Sequence, residues 1–332
     1  MKDLGAIGIG SMFALTPTNE TEAARRGIPD VCGSLSAMGT TVNIRIMGEQ
    51  GGHLNDAIAC AFREIALIEE MMTTHDESSM LSGVNRAAGN DMIEVDARVI
   101  EVVRASLLAA ERSRGVFDPT VLPLLKAWGF REGAKDIPPS VEKALDRVGF
   151  GQIEIEGNKI GLRRTGAGMD FGGIAKGYAV DRAVAILRGC GIHNVIVEAG
   201  GDLYALGRPD DAAGWKIGVK NPAGPGLCAV FELADRAVAT SGNYATRRVE
   251  NARAMTDTFD PRTGEPVETF LSTTACAPTC MEADAASTVL FCAGTSAELN
   301  LGGENISVLN IARDGSGLKF IASDEFPAFE RA

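Results

Sequence analysis

The feature that most constrains the fold is a series of short strand patterns, separated by glycine-containing turns, in the second half of the chain. Ile153–Ile155 and Lys159–Leu162 flank the turn Glu156-Gly157-Asn158, an arrangement typical of a β-hairpin. Strands that follow one another through short turns pair antiparallel, because a parallel pair needs a long crossover connection. Further strands are predicted at Thr41–Met47, Asn194–Glu198, Asp202–Leu206, Trp215–Val219, Ala229–Leu233, Val238–Ser241, Ser272–Cys276, Ile306–Ile311 and Leu318–Ile321.

Longer segments carry apolar residues at the 3.6-residue spacing of amphipathic helices, as at Leu54, Ile58 and Ile65. Helices are predicted at His53–Thr74, Ala97–Ser113, Ile174–Arg188 and Met281–Ala293. The sequence has no repeat of fixed period and no low-complexity linker. Runs of strands with helices at intervals predict one α+β domain over residues 36–332, with largely antiparallel sheets flanked by helices.

Residues 1–35 are predicted to be a separate segment. Leu4–Leu15 is an apolar run of 12 residues, too short to span a bilayer, which takes about 20. The run suits the apolar region of an export signal, and it looks like the end of a twin-arginine signal whose arginines are missing from this sequence. A disordered tail is the alternative interpretation. No transmembrane segment is expected.

The charge balance argues against nucleic acid as a partner. The chain has 32 Lys and Arg against 44 Asp and Glu, a net charge of −12, and only 5% aromatic residues. It is therefore poorly equipped to hold polyphosphate by bulk charge or to stack bases. It also lacks the HExxH, Walker A and Gly-x-Ser-x-Gly motifs of zinc proteases, P-loop proteins and serine hydrolases. Seven cysteines, an odd number, cannot all be paired within the chain.

One segment with chemical potential is Asp170-Phe-Gly-Gly-Ile-Ala-Lys-Gly177, which leads into a predicted helix. Two adjacent glycines leave the backbone accessible, and a helix N-terminus favours phosphate. Lys176 adds a positive charge in an acidic chain. A plain strand-to-helix turn with a surface lysine is the alternative interpretation.

A second segment runs from Ala277 to Thr288. Thr279 and Glu282 match a capping box, so a helix should begin there. Asp284 and Thr288 are then one helical turn apart on the same face. A carboxylate and a hydroxyl stacked in this way suit Mg²⁺, which fills its shell with water and substrate phosphates. Alternatively, Asp284 stabilises the positive end of the helix and Thr288 is structural.

Three other segments are weak when taken alone. Asp257–Val267 contains Asp-Pro and Thr-Gly turn signals among many polar groups. The others are Phe117–Val121, followed by Trp128-Gly-Phe130, and Ser36–Thr40.

Taken together and in this order, the segments resemble the ApbE family of FAD:protein FMN transferases. The resemblance extends from Ser36 to the end of the chain. The matching segments are Met38-Gly-Thr40, Phe117-Asp-Pro-Thr-Val121, Asp170-Phe-Gly-Gly-Ile-Ala-Lys-Gly177, Ala199-Gly-Gly-Asp202, Ala239-Thr-Ser-Gly242, Asp260-Pro-Arg-Thr-Gly264 and Ala283-Asp-Ala-Ala-Ser-Thr288.

The resemblance implies an α+β fold with a deep central cleft for FAD and a divalent cation, Mg²⁺ or Mn²⁺. It implies cleavage of the FAD diphosphate, transfer of FMN to a threonine of a partner protein through a phosphoester bond, and release of AMP. The expected partner is a flavin-acceptor subunit of a redox or electron-transport complex, and the expected location is the periplasm or cell envelope, otherwise the cytoplasm. Carried over by position, the FAD contacts are Met38, His75, Val116, Phe117, Asp118, Asp170, Lys176 and the backbone of Thr258. The cation ligands are Gly173, Asp284, Ser287 and Thr288.

The sequence departs from the family pattern at Asp257, where members usually carry a histidine that is a candidate base. We assign the catalytic positions to Asp257 and Asp284. A carboxylate with an ordinary pKa of about 3.9 is a weaker base than imidazole, at about 6.5. Two alternatives to transfer therefore stay open: a flavin-binding accessory protein that has lost activity, and an FAD pyrophosphatase that produces FMN and AMP.

Overall fold

The structure is a computed structural model that describes residues 13–15, 29–131, 141–209, 212–242, 248–250, 253–255, 258–267, 269–294, 305–315 and 317–332. Its helices are α1 (Leu54–Met72), α2 (Met80–Arg86), α3 (Ala97–Arg112), α4 (Leu122–Ala127), α5 (Val141–Leu145), α6 (Ala175–Gly189) and α7 (Cys280–Ala293). Its strands are β1 (Phe13–Leu15), β2 (Asp30–Ala37), β3 (Thr40–Met47), β4 (Ile93–Glu94), β5 (Ile153–Glu156), β6 (Lys159–Leu162), β7 (Val195–Ala199), β8 (Asp202–Leu206), β9 (Trp215–Lys220), β10 (Leu227–Leu233), β11 (Arg236–Gly242), β12 (Arg248–Glu250), β13 (Arg253–Met255), β14 (Ser272–Ala277), β15 (Ser307–Asp314), β16 (Gly317–Ala322) and β17 (Phe329–Arg331).

An eight-stranded sheet of the described strands organises the molecule, in the order β16-β15-β14-β11-β8-β7-β3-β2. Its neighbouring strands all pair antiparallel, as the hairpin-rich sequence predicts. Strand β2 was not predicted, because it is an edge strand whose more buried positions, Val31, Gly33, Leu35 and Ala37, include two small residues, so that its apolar alternation is weak. It starts at Asp30, ahead of the predicted domain boundary at residue 36.

The two faces of this sheet pack against different layers. Val195 and Val197 of β7 join the hydrophobic core formed with the helices, chiefly α1, α6 and α7. The alternate residue Ile196 belongs to a second core, which contains Trp215 and Phe231 of the smaller sheet. This smaller sheet has the order β1-β9-β10-β17. The alternation follows from the two-residue period of a strand, which sends neighbouring side chains to opposite faces.

The four predicted helices are present as α1, α3, α6 and α7, with ends within one or two residues of the prediction. Periodicity identified them because each has several turns of amphipathic spacing. The short helices α2, α4 and α5 were not predicted, since five to seven residues are too few to establish a period. Within the described residues, no helix combines the length and apolarity needed to cross a membrane.

The turns at one end of the large sheet bring distant parts of the sequence together. The β2–β3 turn consists of Met38 and Gly39, and the β7–β8 turn of Gly200 and Gly201. The backbone N–H of Thr240 in β11 donates to the carbonyl of Gly201 over 3.0 Å. We call residues 38–40, 200–202 and 240–242 the sheet edge. The name refers to the end of the sheet at which these strands turn or end, and not to its outer strands.

Candidate active site

A cleft of about 420 Å³ opens between the sheet edge, the start of α6, helix α7 and the loops that precede α4 and α6. Most of the sequence-predicted site residues converge on it. Those that line the cleft are Met38, His75, Val116, Phe117, Asp118, Asp170, Gly173, Lys176, Thr258, Asp284 and Thr288. Ser287 lies just behind this lining, and Asp257 falls outside the described residues. The structure places these residues together, and their roles stay predictions.

The charged centre of the cleft is a lysine between two carboxylates. Lys176 Nζ lies 2.5 Å from Asp202 Oδ2 and 3.5 Å from Asp284 Oδ2. The same Asp284 oxygen accepts a hydrogen bond from the backbone N–H of Gly177 over 3.1 Å. Both carboxylates are buried. Asp202 follows the Gly200-Gly201 turn directly, and this position places its carboxylate beside Lys176 in the first turn of α6.

Burial and mutual repulsion set the protonation of this group. Burial disfavours the ammonium of Lys176, but the adjacent Asp202 and Asp284 carboxylates outweigh that effect and raise its pKa. Burial, together with the nearby Asp284, holds the pKa of Asp202 well above its usual range, although Lys176 acts in the opposite direction. The arrangement therefore keeps the lysine charged and disfavours a full negative charge on Asp202.

Helix α7 is anchored so that Asp284 faces the cleft. The helix begins where the sequence predicts, since Thr279 is its N-cap and Thr279 Oγ1 accepts from the backbone N–H of Glu282 over 3.2 Å. Asp181 of α6 accepts from the backbone N–H groups of Cys280 and Met281, at 2.7 and 2.9 Å. Burial raises the pKa of Asp181 to about 6. Two helices are thus joined by one carboxylate at the end that carries the site.

A small oxygen-lined cradle lies beside this centre. Asp284 and Thr288 both line the cleft from α7, as their spacing predicts. A Cβ atom built on Gly173 would come within 2.9 Å of Thr288 Oγ1, so only a glycine leaves this space open. One carboxylate, one hydroxyl and a nearby backbone fit a hard cation that keeps several waters. Among the described residues, no group of three or more His, Cys, Asp or Glu side chains is arranged so that it could hold a metal ion.

Ser287 is engaged in the support of this cradle. Its hydroxyl donates to the carbonyl of Asp284 over 3.0 Å and lies 2.8 Å from the hydroxyl of Ser241. Because a hydroxyl has one proton, Ser241 is the donor in the second contact. Ser287 is buried. The structure therefore shows it tying the sheet edge to α7.

Asp170 forms a second polar centre. Its carboxylate accepts from Arg131 Nε over 2.8 Å, from Arg131 Nη2 over 3.3 Å and from Thr74 Oγ1 over 3.1 Å. It also caps the following turn, where the backbone N–H of Gly172 donates to it over 2.9 Å. Arg131 and Lys176 are the arginine and the lysine among the described residues that line the cleft.

The segment Val116–Asp118 forms an apolar wall with a structural carboxylate. Val116 and Phe117 are buried. Asp118 accepts from the hydroxyl of Thr120 over 2.6 Å and from the backbone N–H of Phe150 over 2.8 Å. Burial raises its pKa against these hydrogen bonds. Its oxygens hold the wall in place, so Asp118 is bonded to protein groups while it lines the cleft.

The opposite rim carries an aromatic contact. Phe259 lines the cleft, stacks on Trp128 with ring centroids 5.7 Å apart and meets Phe130 edge-on. Trp128 Nε1 donates to the carbonyl of Gly264 over 3.0 Å. The segment Trp128–Phe130 thus packs against the segment 258–267, and these contacts hold the turn that begins at Thr258. Each of the two segments is a weak signal in the sequence alone. His75 is exposed at the rim.

Sequence reasoning assigned no role to Arg131, Thr74, Asp202 or Thr40. Asp202 and Thr40 stand in quoted motifs, each beside a glycine turn, and that position was an available signal. Arg131 and Thr74 had no local signal, because their partner Asp170 is 39 and 96 positions away.

The fold and the cleft define an α+β protein whose cleft is lined by a charged lysine and by carboxylate and hydroxyl oxygens beside the sheet edge. The chain belongs to the ApbE family, whose family model matches residues 38–309.

Individual relatives agree with that membership. The chain is similar to the FAD:protein FMN transferase of Vibrio cholerae, with 30% identity over 88% of this chain and 90% of the relative. The transferase of the same name from Haemophilus influenzae is 29% identical over 96% of each chain. The solved structure of flavin transferase ApbE from Vibrio cholerae has a TM-score of 0.80 and 29% identity, and the match covers 90% of this chain and 98% of that one. For the ApbE protein of Thermotoga maritima these values are 0.78, 30%, 92% and 97%. These similarities confirm the predicted α+β class.

Proposed function

We propose that this chain is a transferase that moves FMN from FAD to a threonine of a partner protein and releases AMP. The observation that carries the proposal is the convergence of Lys176, Asp284, Thr288 and Asp170 on one cleft in a chain of the ApbE family. Relatives similar over most of their length are named FAD:protein FMN transferase. The substrates we assign are therefore FAD and a protein flavin acceptor.

The reaction exchanges one phosphorus–oxygen bond for another. The threonine hydroxyl of the acceptor bonds to the phosphorus of the FMN half, and the bond from that phosphorus to the bridging oxygen breaks. AMP leaves with the bridging oxygen, and the hydroxyl proton passes to a base. Such a transfer depends chiefly on in-line positioning and on neutralisation of phosphate charge. We assign the base to Asp257.

The described residues have distinct parts in this scheme. Lys176 presents its charge to the diphosphate, and the ion pair with Asp202 fixes the direction of the Lys176 side chain. Asp170, fixed by Arg131, offers carboxylate oxygens to hydroxyl or amino groups of FAD. Phe117 gives the flavin nucleotide an apolar surface and keeps water from that side.

Mg²⁺ or Mn²⁺ would be held by Asp284, Thr288 and the carbonyl of Gly173, with Ser287 supporting Asp284 from behind. When bound, the cation supplies the positive charge that an acidic chain otherwise lacks at the phosphates. The glycine at position 173 and the open space beside Thr288 support this assignment.

The acceptor we propose is a subunit of a redox or electron-transport complex, and the proposed location is the cell envelope. Both rest on the sequence: the family resemblance and the apolar run Leu4–Leu15.

The test follows a flavin-acceptor domain from the same genome, incubated with the protein, FAD and Mg²⁺, by in-gel flavin fluorescence and intact mass. We expect the acceptor to gain one FMN and AMP to appear in equal amount. Asp284→Ala should abolish labelling, whereas Asp56→Ala, an exposed acidic residue in the first turn of α1, should leave it unchanged.

Other outcomes would replace the proposal. Bound FAD without AMP, with labelling restored by Asp257→His, would identify a flavin-binding accessory protein. AMP and free FMN without a labelled acceptor would identify an FAD pyrophosphatase.

A further inference from the structure

The hydroxyl of Thr40 is a buried polar group without a protein partner. Its Oγ1 atom is inaccessible to solvent and makes no hydrogen bond among the described residues. An unsatisfied buried hydroxyl is unfavourable, so a folded protein that keeps one calls for a specific explanation. Among the buried unpartnered side-chain atoms of the described residues, this one alone belongs to a residue that lines the cleft.

The backbone around Thr40 lies close to its side chain. Gly200 packs against it with a φ of 60°. A Cβ atom at Gly200 would lie 2.7 Å from Thr40 Oγ1 and 2.9 Å from its Cβ and Cγ2. Thr40 is also β-branched, which restricts its χ1 rotamers to a few. In the ligand-free protein the hydroxyl therefore lies against the Gly200 turn, and a rotation about χ1 would bring it to a ligand in the cleft.

Its neighbours indicate what the ligand atom is. The Gly200-Gly201 turn that touches Thr40 leads directly to Asp202, and Asp202 holds Lys176 Nζ at 2.5 Å. The hydroxyl thus belongs to the same sheet edge as Asp202, the partner of the Lys176 ammonium that the proposed function assigns to the diphosphate. A neutral hydroxyl can donate to a phosphoryl oxygen, and such charge-assisted hydrogen bonds are the stronger kind.

We propose that Thr40 is a substrate-binding residue whose hydroxyl donates a hydrogen bond to a phosphoryl oxygen of the FAD diphosphate. The proposal deepens the proposed function and rests on it. In the ligand-free protein the hydroxyl is unsatisfied, and the ligand completes it. Removal of the hydroxyl should therefore weaken binding without harm to the fold.

The decisive variant is Thr40→Val, which keeps the shape and the β-branch and replaces the hydroxyl by a methyl group. Thr40→Ser restores a hydroxyl at the same position. Ser106→Ala is the matched control, because Ser106 Oγ is also buried and unpartnered but lies in α3, away from the cleft lining. Each protein is titrated with FAD and, separately, with riboflavin, with flavin fluorescence as the readout, and is melted without ligand.

We expect Thr40→Val to weaken FAD binding by about tenfold to a hundredfold, the range for a hydrogen bond to a charged group. Thr40→Ser should recover most of that loss, and Ser106→Ala should bind FAD like the unchanged protein. Without ligand, Thr40→Val should melt at the same temperature or higher. Riboflavin, which has no phosphate, should behave alike with Thr40→Val and the unchanged protein.

Equal FAD affinity of Thr40→Val and the unchanged protein would overturn the proposal while the proposed function stands. An equal loss for riboflavin would also overturn it, since the contact would then lie on the flavin or ribityl part. A lower melting temperature of ligand-free Thr40→Val would mean that the hydroxyl is structural. If the unchanged protein binds no FAD at all, the proposed function fails and this proposal fails with it.

Discussion

The second core, where the smaller sheet packs against the large sheet, and the sheet edge at the cleft follow different rules. In the second core, Trp215 of β9 is fully buried and its indole N–H donates to the carbonyl of Leu206 over 3.2 Å. Phe231 packs edge-on against Phe326 beside it, with centroids 5.3 Å apart. Apolar bulk is packed there and the indole N–H is satisfied.

At the sheet edge, several features are unfavourable for folding. Met38 has a φ of 55°, a conformation that side chains other than Gly, Asn and Asp rarely adopt. Thr40 keeps an unsatisfied hydroxyl. Asp202 is a buried carboxylate that shares Lys176 with Asp284 of α7, so that its charge is disfavoured by burial and by repulsion. The comparison teaches that local deviations from the stability rules mark the region built for a ligand, which agrees with strain gathering at functional sites.

Replacement in the second core should give the largest effect on stability. Trp215→Ala is expected to lower the free energy of unfolding by about 3–5 kcal/mol, because it leaves a large cavity in the second core. Urea unfolding measures the change, and Trp215→Phe serves as a milder variant if the alanine protein does not fold. FAD affinity of the folded protein should not change. A loss below about 1 kcal/mol would break the comparison.

Gly200→Ala tests the backbone strain at the sheet edge and the contact with Thr40 in one variant. The alanine must adopt a φ of 60°, which costs about 1–2 kcal/mol, and its Cβ would press on Thr40. We expect lower stability and weaker FAD binding. Gly157→Ala is the control, because its φ is 61° and no atom lies within 4 Å of the added Cβ. Gly157→Ala should lose only the stability that the positive φ costs. Equal losses of stability in Gly157→Ala and Gly200→Ala would refute the role of the Thr40 contact.

Met38→Asn should act in the opposite direction on stability. Asn is favoured at the first position of a two-residue hairpin turn with positive φ, so the free energy of unfolding should rise by about 1 kcal/mol. FAD binding should weaken, because a cleft-lining side chain is lost. Arg114→Asn, at an exposed residue with a φ of 53°, should stabilise the protein without any change in FAD affinity. Destabilisation by Met38→Asn would contradict the account.

The smallest effect is expected at Asp96, the N-cap of α3, away from the cleft lining. Hydrogen bonds from the Arg98 side chain and backbone lower its pKa to about 2. A lowered carboxylate pKa stabilises the folded state above the ordinary value near 4, and this stabilisation is lost as the pH falls from about 4 to 2. Asp96→Ala should cost about 0.5–1 kcal/mol at pH 7. Urea unfolding at several pH values measures the difference in free energy of unfolding between the unchanged protein and Asp96→Ala. This difference should become smaller below pH 4, and a difference that does not change with pH would argue against the stabilising role of the Asp96 carboxylate.

The sequence predicted the parts of this molecule that depend on local order. Helical spacing identified α7 and placed Asp284 and Thr288 on one face, and the glycine turn before α6 identified Lys176. The sequence could not reveal the pair of Arg131 with Asp170 or of Asp202 with Lys176, because each joins elements that only the folded sheet and loops bring together. Strand β2 escaped prediction because two of its four inward positions are Gly33 and Ala37, which weaken the apolar alternation of an edge strand.

The central claim is that the sheet edge trades stability for ligand binding, and the double variant Met38→Asn with Thr40→Val tests it most directly. The measurement is the melting temperature of the double variant and of the unchanged protein, each without ligand and at a fixed saturating FAD concentration. The account predicts a higher melting temperature without ligand and a smaller rise with FAD in the double variant. A lower melting temperature without ligand, or an undiminished rise with FAD, would contradict it.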